Sequence, residues 1–72
     1  MTPAIMRQLW AVIESTQVTT LLQVDDSTLV QLLLKQFAAR QPIDAKMADS
    51  LDTYITSKLS LIRDTAEGRK SA

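Results

Sequence analysis

The chain has no cysteine and no histidine, and only one glycine, two prolines and three aromatic residues (Phe37, Trp10 and Tyr54) in 72 positions. Without cysteine there is no disulfide, no thiolate nucleophile and no cysteine-bound zinc. Without histidine there is no imidazole base and no imidazole ligand, which with the lack of cysteine removes nearly every structural zinc site. So little glycine and proline argues against a β-rich fold, which turns often and needs residues suited to turning. Charge of one sign is also lacking. Eight Lys plus Arg balance eight Asp plus Glu, and the balance holds locally. Residues 1–24 carry Arg7 against Glu14, and residues 25–41 carry Asp25 and Asp26 against Lys35 and Arg40. The remainder carries five acids and five bases. No stretch makes a field that would steer the chain to nucleic acid or to acidic lipid.

Long apolar runs are missing as well. The longest aliphatic run is Leu32-Leu33-Leu34, far below the roughly 20 residues that cross a bilayer. Met1-Thr2-Pro3 is not a basic leader, and Glu14 closes the first apolar stretch early. These features lead to the expectation of a cytoplasmic protein with no membrane partner. The chain is still 46% hydrophobic and 22% charged, a composition that folds.

What is present reads as helix. Thr2 is a capping hydroxyl and Pro3 suits the first helical position. Ile5, Met6, Leu9, Val12 and Ile13 then recur at helical spacing, giving a first helix over about residues 3–14. Ser15 and Thr16 interrupt it, and Thr16 is placed to cap a short element over residues 17–23. Val18, Thr19 and Thr20 are β-branched, so that element is a weak helix or an extended stretch. Asp26 is the expected cap of a helix over residues 27–40. Its apolar residues Leu29, Val30, Leu32, Leu33, Leu34 and Phe37 span about 200° of the helical wheel, so it is the central core helix. Gln41-Pro42 ends it.

Asp44 is the expected cap of one long C-terminal helix over residues 44–67, with Gly68 as the left-handed residue that stops it. Its apolar face runs through Ile43, Met47, Leu51, Tyr54, Ile55, Leu59, Leu61 and Ile62. The fold class is therefore all-α: a single domain over residues 1–72, with three helices, the C-terminal one long, plus a short helical turn. A straight helix of that length would measure about 35 Å, against a diameter of about 29 Å for a compact chain of this size. The overhang, and the second apolar side of the central helix, predict a homodimeric helical bundle, or an unidentified protein partner on the same stripe.

Few features point to chemistry. Leu29-Val30-Gln31-Leu32-Leu33 fits a leucine docking box, but the face continues to Phe37 and reads as core. Asp25-Asp26 and Asp44, Asp49, Asp52 lack the spacing of a calcium loop and read as caps and a solvated face. No cofactor, metal site or catalytic residue is expected, and the chain reads as a non-enzyme. Lys58 falls inside the apolar stripe of the C-terminal helix. It either snorkels to water or pairs with a carboxylate of another helix or another chain, with Glu14 and Asp25/Asp26 as candidates. Trp10 and Tyr54 suit either a core or an interface. The candidate interface is therefore Trp10, Tyr54, Lys58, Leu59 and Ile62.

Two stretches carry a resemblance. One is Leu9-Trp10-x-Val12-Ile13-Glu14-x-Thr16 with Leu21-Leu22 and the helix from Asp25-Asp26 to Leu34. The other is Tyr54-Ile55-Thr56-Ser57-Lys58-Leu59-Ser60-Leu61-Ile62-Arg63-Asp64. Together they resemble small conserved all-helical proteins of cyanobacteria that have no assigned activity. The resemblance implies a source and no catalytic residue. The functional expectation is a small protein–protein interaction module, adaptor or regulatory in kind and homodimeric. The alternative is a nucleic-acid-binding helical domain of helix-turn-helix type, disfavoured by the lack of a basic face.

Overall fold

A computed structural model describes residues 2–71. These form five helices: α1 (Pro3–Ser15), α2 (Val18–Gln23), α3 (Asp26–Arg40), α4 (Ala45–Ser57) and α5 (Leu59–Ser71). There is no strand among the described residues. No helix among them is long and apolar enough to cross a membrane.

Local chemistry sets most of the boundaries. Thr2 Oγ1 accepts a hydrogen bond from the Ile5 N–H at 3.2 Å, and Pro3 opens α1. Asp44 Oδ1 accepts from the Met47 N–H at 2.7 Å and starts α4. Both groups satisfy amide donors that a helix start otherwise leaves without partners.

Thr16 does not start α2. It ends α1, with extended backbone, and its hydroxyl donates to the Val12 carbonyl at 2.8 Å while lying 3.3 Å from Gln36 Oε1. Here the hydroxyl closes the helix behind it rather than opening the one ahead, because it is buried against α3 and the Val12 carbonyl is its nearest acceptor. Residues 18–23 are helical despite their β-branched residues, with Gln17 at the N-cap. Asp25, not Asp26, holds the N-cap position of α3. Asp26 lies in the first turn, and its carboxylate is engaged by Arg63 at 2.8 Å.

The largest departure from expectation is at Lys58. The single long helix is two, bent where Lys58 takes φ −111° and ψ 9°. The Lys58 N–H is shared between the Tyr54 carbonyl at 3.1 Å and the Ile55 carbonyl at 3.0 Å. Ser57 Oγ also donates to the Tyr54 carbonyl, at 2.8 Å. A hydroxyl competing for a helix carbonyl bends the ladder at that point. The bend lets one apolar segment serve two neighbours: α4 packs on α3, and α5 packs on α2.

The core has a layer from every helix. It comprises Leu9, Val12 and Ile13; Leu21; Leu29, Val30, Leu33 and Phe37; Leu51 and Ile55; and Leu59, Ile62 and Ala66. Leu29 and Leu33 of the docking-box pattern are fully buried inside the chain. The radius of gyration is 11.7 Å, close to the ~11 Å of a compact chain this long. The accessible surface, 4557 Å², matches the ~4,450 Å² of a folded monomer of this mass. The described chain extends 36 Å along its longest axis, and the apolar stripe beyond the bend is not left bare, because α5 packs on α2. Gly68 is likewise not a left-handed stop. It is helical, the described residues include no glycine at positive φ, and α5 runs on to Ser71.

Candidate functional site

The five residues singled out from the sequence divide into two groups. Leu59 is 9% exposed and Ile62 only 1%. Both are core residues, because the bend at Lys58 turns this side of α5 inward, so they are not available to a partner. Trp10, Tyr54 and Lys58 come together at the surface. Trp10 Nε1 donates to the Tyr54 hydroxyl at 3.2 Å, in a contact that is only partly buried. The Lys58 ammonium sits over the Tyr54 ring, 5.9 Å from its centroid, within reach of the cation–π attraction. Lys58 is exposed and pairs with neither Glu14 nor Asp25/Asp26. The ion pair found among the described residues is instead Arg63–Asp26.

The run of the helices around this contact follows from three links. Arg40 Nη2 donates to Ser15 Oγ at 3.3 Å, and Thr16 meets Gln36. The C-terminal turns of α1 and α3 therefore lie at the same end of the molecule. A connection of only four residues, 41–44, then turns the chain back, and α4 packs along α3. Hence α1 and α4 run in opposite directions where Trp10 meets Tyr54. Counting from that contact, Lys58 lies four residues on along α4 and Arg7 three residues back along α1, both toward one end. Glu14 lies four residues on along α1 and Asp49 five residues back along α4, both toward the other end. All four are exposed. The seam thus has an aromatic centre, with exposed charges of both signs at the end that holds Glu14 and Asp49, where Arg40 and Lys46 also lie.

Apolar surface continues along the seam. Met6 and Met47 are half-buried. Leu61, three residues beyond Lys58, is 50% exposed and is the large exposed hydrophobic of the described chain. Thioether side chains adapt to irregular surfaces, and the partly buried Trp–Tyr pair offers apolar area with polar tips. An open depression on the outer face of α4, lined by Asp49, Ser50, Thr53, Tyr54 and Ser57, adjoins the pair.

A second hollow, about 370 Å³, lies between the start of α3 and the α4–α5 bend. Asp26 and Asp52 face it across Val30 and Leu59. Both carboxylates already have partners: Asp26 in Arg63, and Asp52 in the Thr56 hydroxyl, which donates at 3.3 Å. Among the described residues no group of three or more Asp or Glu is placed to hold a metal ion.

No protein-family model, curated protein or solved structure matches this chain.

Arg63 belongs to no functional motif of the sequence. In the structure its guanidinium joins three elements. Nη1 donates to the Leu21 carbonyl at 2.8 Å, and Nη2 to the Val24 carbonyl at 3.0 Å and to Asp26 Oδ1 at 2.8 Å. The end of α2 has no glycine or asparagine to close it, which signals that its carbonyls need a donor from elsewhere. Spacing alone cannot say which one.

Proposed function

We propose that this chain is a small helical protein–protein interaction module, adaptor or regulatory in kind, that works as a homodimer and acts by binding rather than catalysis. The observation that carries this reading is the Trp10–Tyr54 pair. Phe37 and the aliphatic residues fill the interior. The only tryptophan and the only tyrosine of the chain are held together by a hydrogen bond at the edge of that core, partly buried against it and partly open to solvent. Tryptophan and tyrosine are the residue types on which binding energy concentrates in protein interfaces. The reading no longer draws on helix length, because the apolar stripe of α4 and α5 is covered within the chain. It rests on the seam.

The nucleic-acid alternative gains nothing from the fold. The exposed bases Arg7, Lys35, Arg40, Lys46, Lys58, Arg69 and Lys70 are spread over α1, α3, α4, the α4–α5 bend and α5, and a phosphate-binding surface needs them on one face. The test is light scattering behind size exclusion at about 100 μM, where weak self-association is populated. A mass of twice the chain's 8.0 kDa supports the reading. A mass of 8.0 kDa refutes the homodimer.

A further inference from the structure

The bend at Lys58 is a joint of one residue between two segments with different neighbours. α4 packs on α3, whereas α5 packs chiefly on α2. Ile62 and Ala66 share the core with Leu21, and Arg63 donates to the Leu21 and Val24 carbonyls and pairs with Asp26. So α5 is held by α2 and the start of α3 more than by the helix that leads into it. The joint also leaves helix bonds unmade. Lys58 N–H still reaches the Tyr54 carbonyl at 3.1 Å, and Ile62 N–H reaches the Lys58 carbonyl at 2.9 Å. Between them, the N–H groups of Leu59 and Leu61 do not bond the Ile55 and Ser57 carbonyls as a continuous helix would. No proline or glycine enforces the bend, since residues 54–62 include neither. The apolar period runs straight across it, through Leu51, Ile55, Leu59 and Ile62. Straightened, residues 45–71 would form one helix of about 40 Å, and α5 would leave its own α2 uncovered.

We propose that the chain dimerises by exchanging α5: the bend opens into one continuous helix, and α5 of each copy docks on α2 of the other. This rests on the homodimer proposed above and adds the element that passes between the copies. The occupant of the vacated α2 surface is fixed by identity. That surface takes Ile62 and Ala66 beside Leu21 and a guanidinium on the Leu21 and Val24 carbonyls, and a second copy supplies all of them in the same register. Every contact between α2 and α5 is kept, which makes exchange a low-cost route to a dimer. Each chain also gains the backbone bonds missing at the joint, against the freedom lost on association. A single chain that opens alone has no such compensation, because it exposes Leu21, Leu59 and Ile62 to water. Tyr54 precedes the joint by about one turn, roughly 6 Å, so the second chain enters beside the Trp10–Tyr54 pair.

Crosslinking shows which chain supplies α5. Thr19 and Glu67 are exposed and line the same hollow between α2 and α5, and the chain has no cysteine of its own. The full-length double variant Thr19→Cys/Glu67→Cys is therefore bridged by a short bismaleimide in the dimer fraction from size exclusion, after circular dichroism has confirmed its fold. Exchange joins two chains, so a denaturing gel shows twice the mass of one chain. A link confined to each chain of the dimer overturns exchange and leaves the homodimer standing. The joint is tested separately by Lys58→Gly against Lys58→Ala. Both remove the same side chain, but glycine disfavours the helical conformation that exchange needs at Lys58 in both copies. Sedimentation velocity should show Lys58→Gly dimerising about fivefold more weakly than Lys58→Ala. Equal dimerisation of the two overturns the opening of the joint. A wild-type chain that sediments as a monomer at about 100 μM overturns the homodimer itself, and exchange with it.

Discussion

Replacing Arg63 by alanine should be among the most damaging surface-proximal changes in this protein, through hydrogen bonds to backbone rather than through its ion pair. The guanidinium makes two bonds to the Leu21 and Val24 carbonyls, at 2.8 and 3.0 Å, and one to Asp26 at 2.8 Å. A hydrogen bond from a charged donor contributes about 1.5–3 kcal/mol when its acceptor is otherwise unsatisfied. Water reaches part of this site, since the Arg63 side chain is 25% exposed, so the lower end applies to each carbonyl. The Asp26 side chain is 74% exposed, and an ion pair with so open a partner contributes about 0–1 kcal/mol. Arg63→Ala should therefore cost about 2–4 kcal/mol, out of about 4–11 kcal/mol for a chain of this length. Asp26→Asn should cost less than about 1 kcal/mol. Arg63→Lys should recover only part of the loss, because an ammonium lacks the planar fork that reaches both carbonyls. Urea denaturation followed by far-ultraviolet circular dichroism measures all three. Equal losses for Arg63→Ala and Asp26→Asn would refute the reasoning and transfer the effect to the ion pair.

Other perturbations follow from single contacts. Leu33→Ala should cost about 2–5 kcal/mol, because Leu33 is fully buried at the centre of α3; an unchanged melting curve would contradict the core assignment. Gly68→Ala should stabilise by about 0.5–1 kcal/mol, since Gly68 is helical and an added Cβ meets nothing within 4 Å. A left-handed glycine would give the opposite sign in a thermal melt. Asp44→Ala should cost about 0.5–2 kcal/mol by removing the α4 cap, read as a lower urea midpoint. Tyr54→Phe leaves the Trp10 indole N–H without its acceptor and should cost about 1 kcal/mol, with a change in Trp10 fluorescence that Phe37→Leu does not reproduce.

Much of the fold was legible because it rests on local chemistry. Thr2-Pro3 and Asp44 announce their helices through side-chain acceptors next to the first turn. The wide apolar face through Leu29, Leu33 and Phe37 marks α3 as central whatever surrounds it. What could not be read depends on which of several available partners a group chooses. Thr16 can open α2 or close α1, and only its burial beside Gln36 decides for the latter. Asp26 has the chemistry of a cap, but Arg63, distant in sequence, takes its carboxylate. Hydroxyls at Thr56, Ser57 and Ser60 signal a weak point near Lys58, yet periodicity carries straight across it. That miss had consequences: it created the overhang, put Leu59 and Ile62 at the interface, and made helix length the argument for a dimer. Trp10, Tyr54 and Lys58 stand out in the sequence because large aromatics and a lysine on an apolar stripe are anomalies on their own helices. That α1 brings Trp10 onto Tyr54 is a tertiary fact that no spacing contains.

Trp10 is the only tryptophan in the chain and lies at the centre of the proposed contact, so its emission reports association and location together. A dilution series from about 100 μM to about 100 nM spans the range in which a modest dimer comes apart. The account predicts that the emission maximum moves to longer wavelength on dilution, as the indole loses its cover, in step with the fall in sedimentation coefficient. An emission spectrum that stays constant across that range while the dimer dissociates would place the contact elsewhere and contradict the central claim.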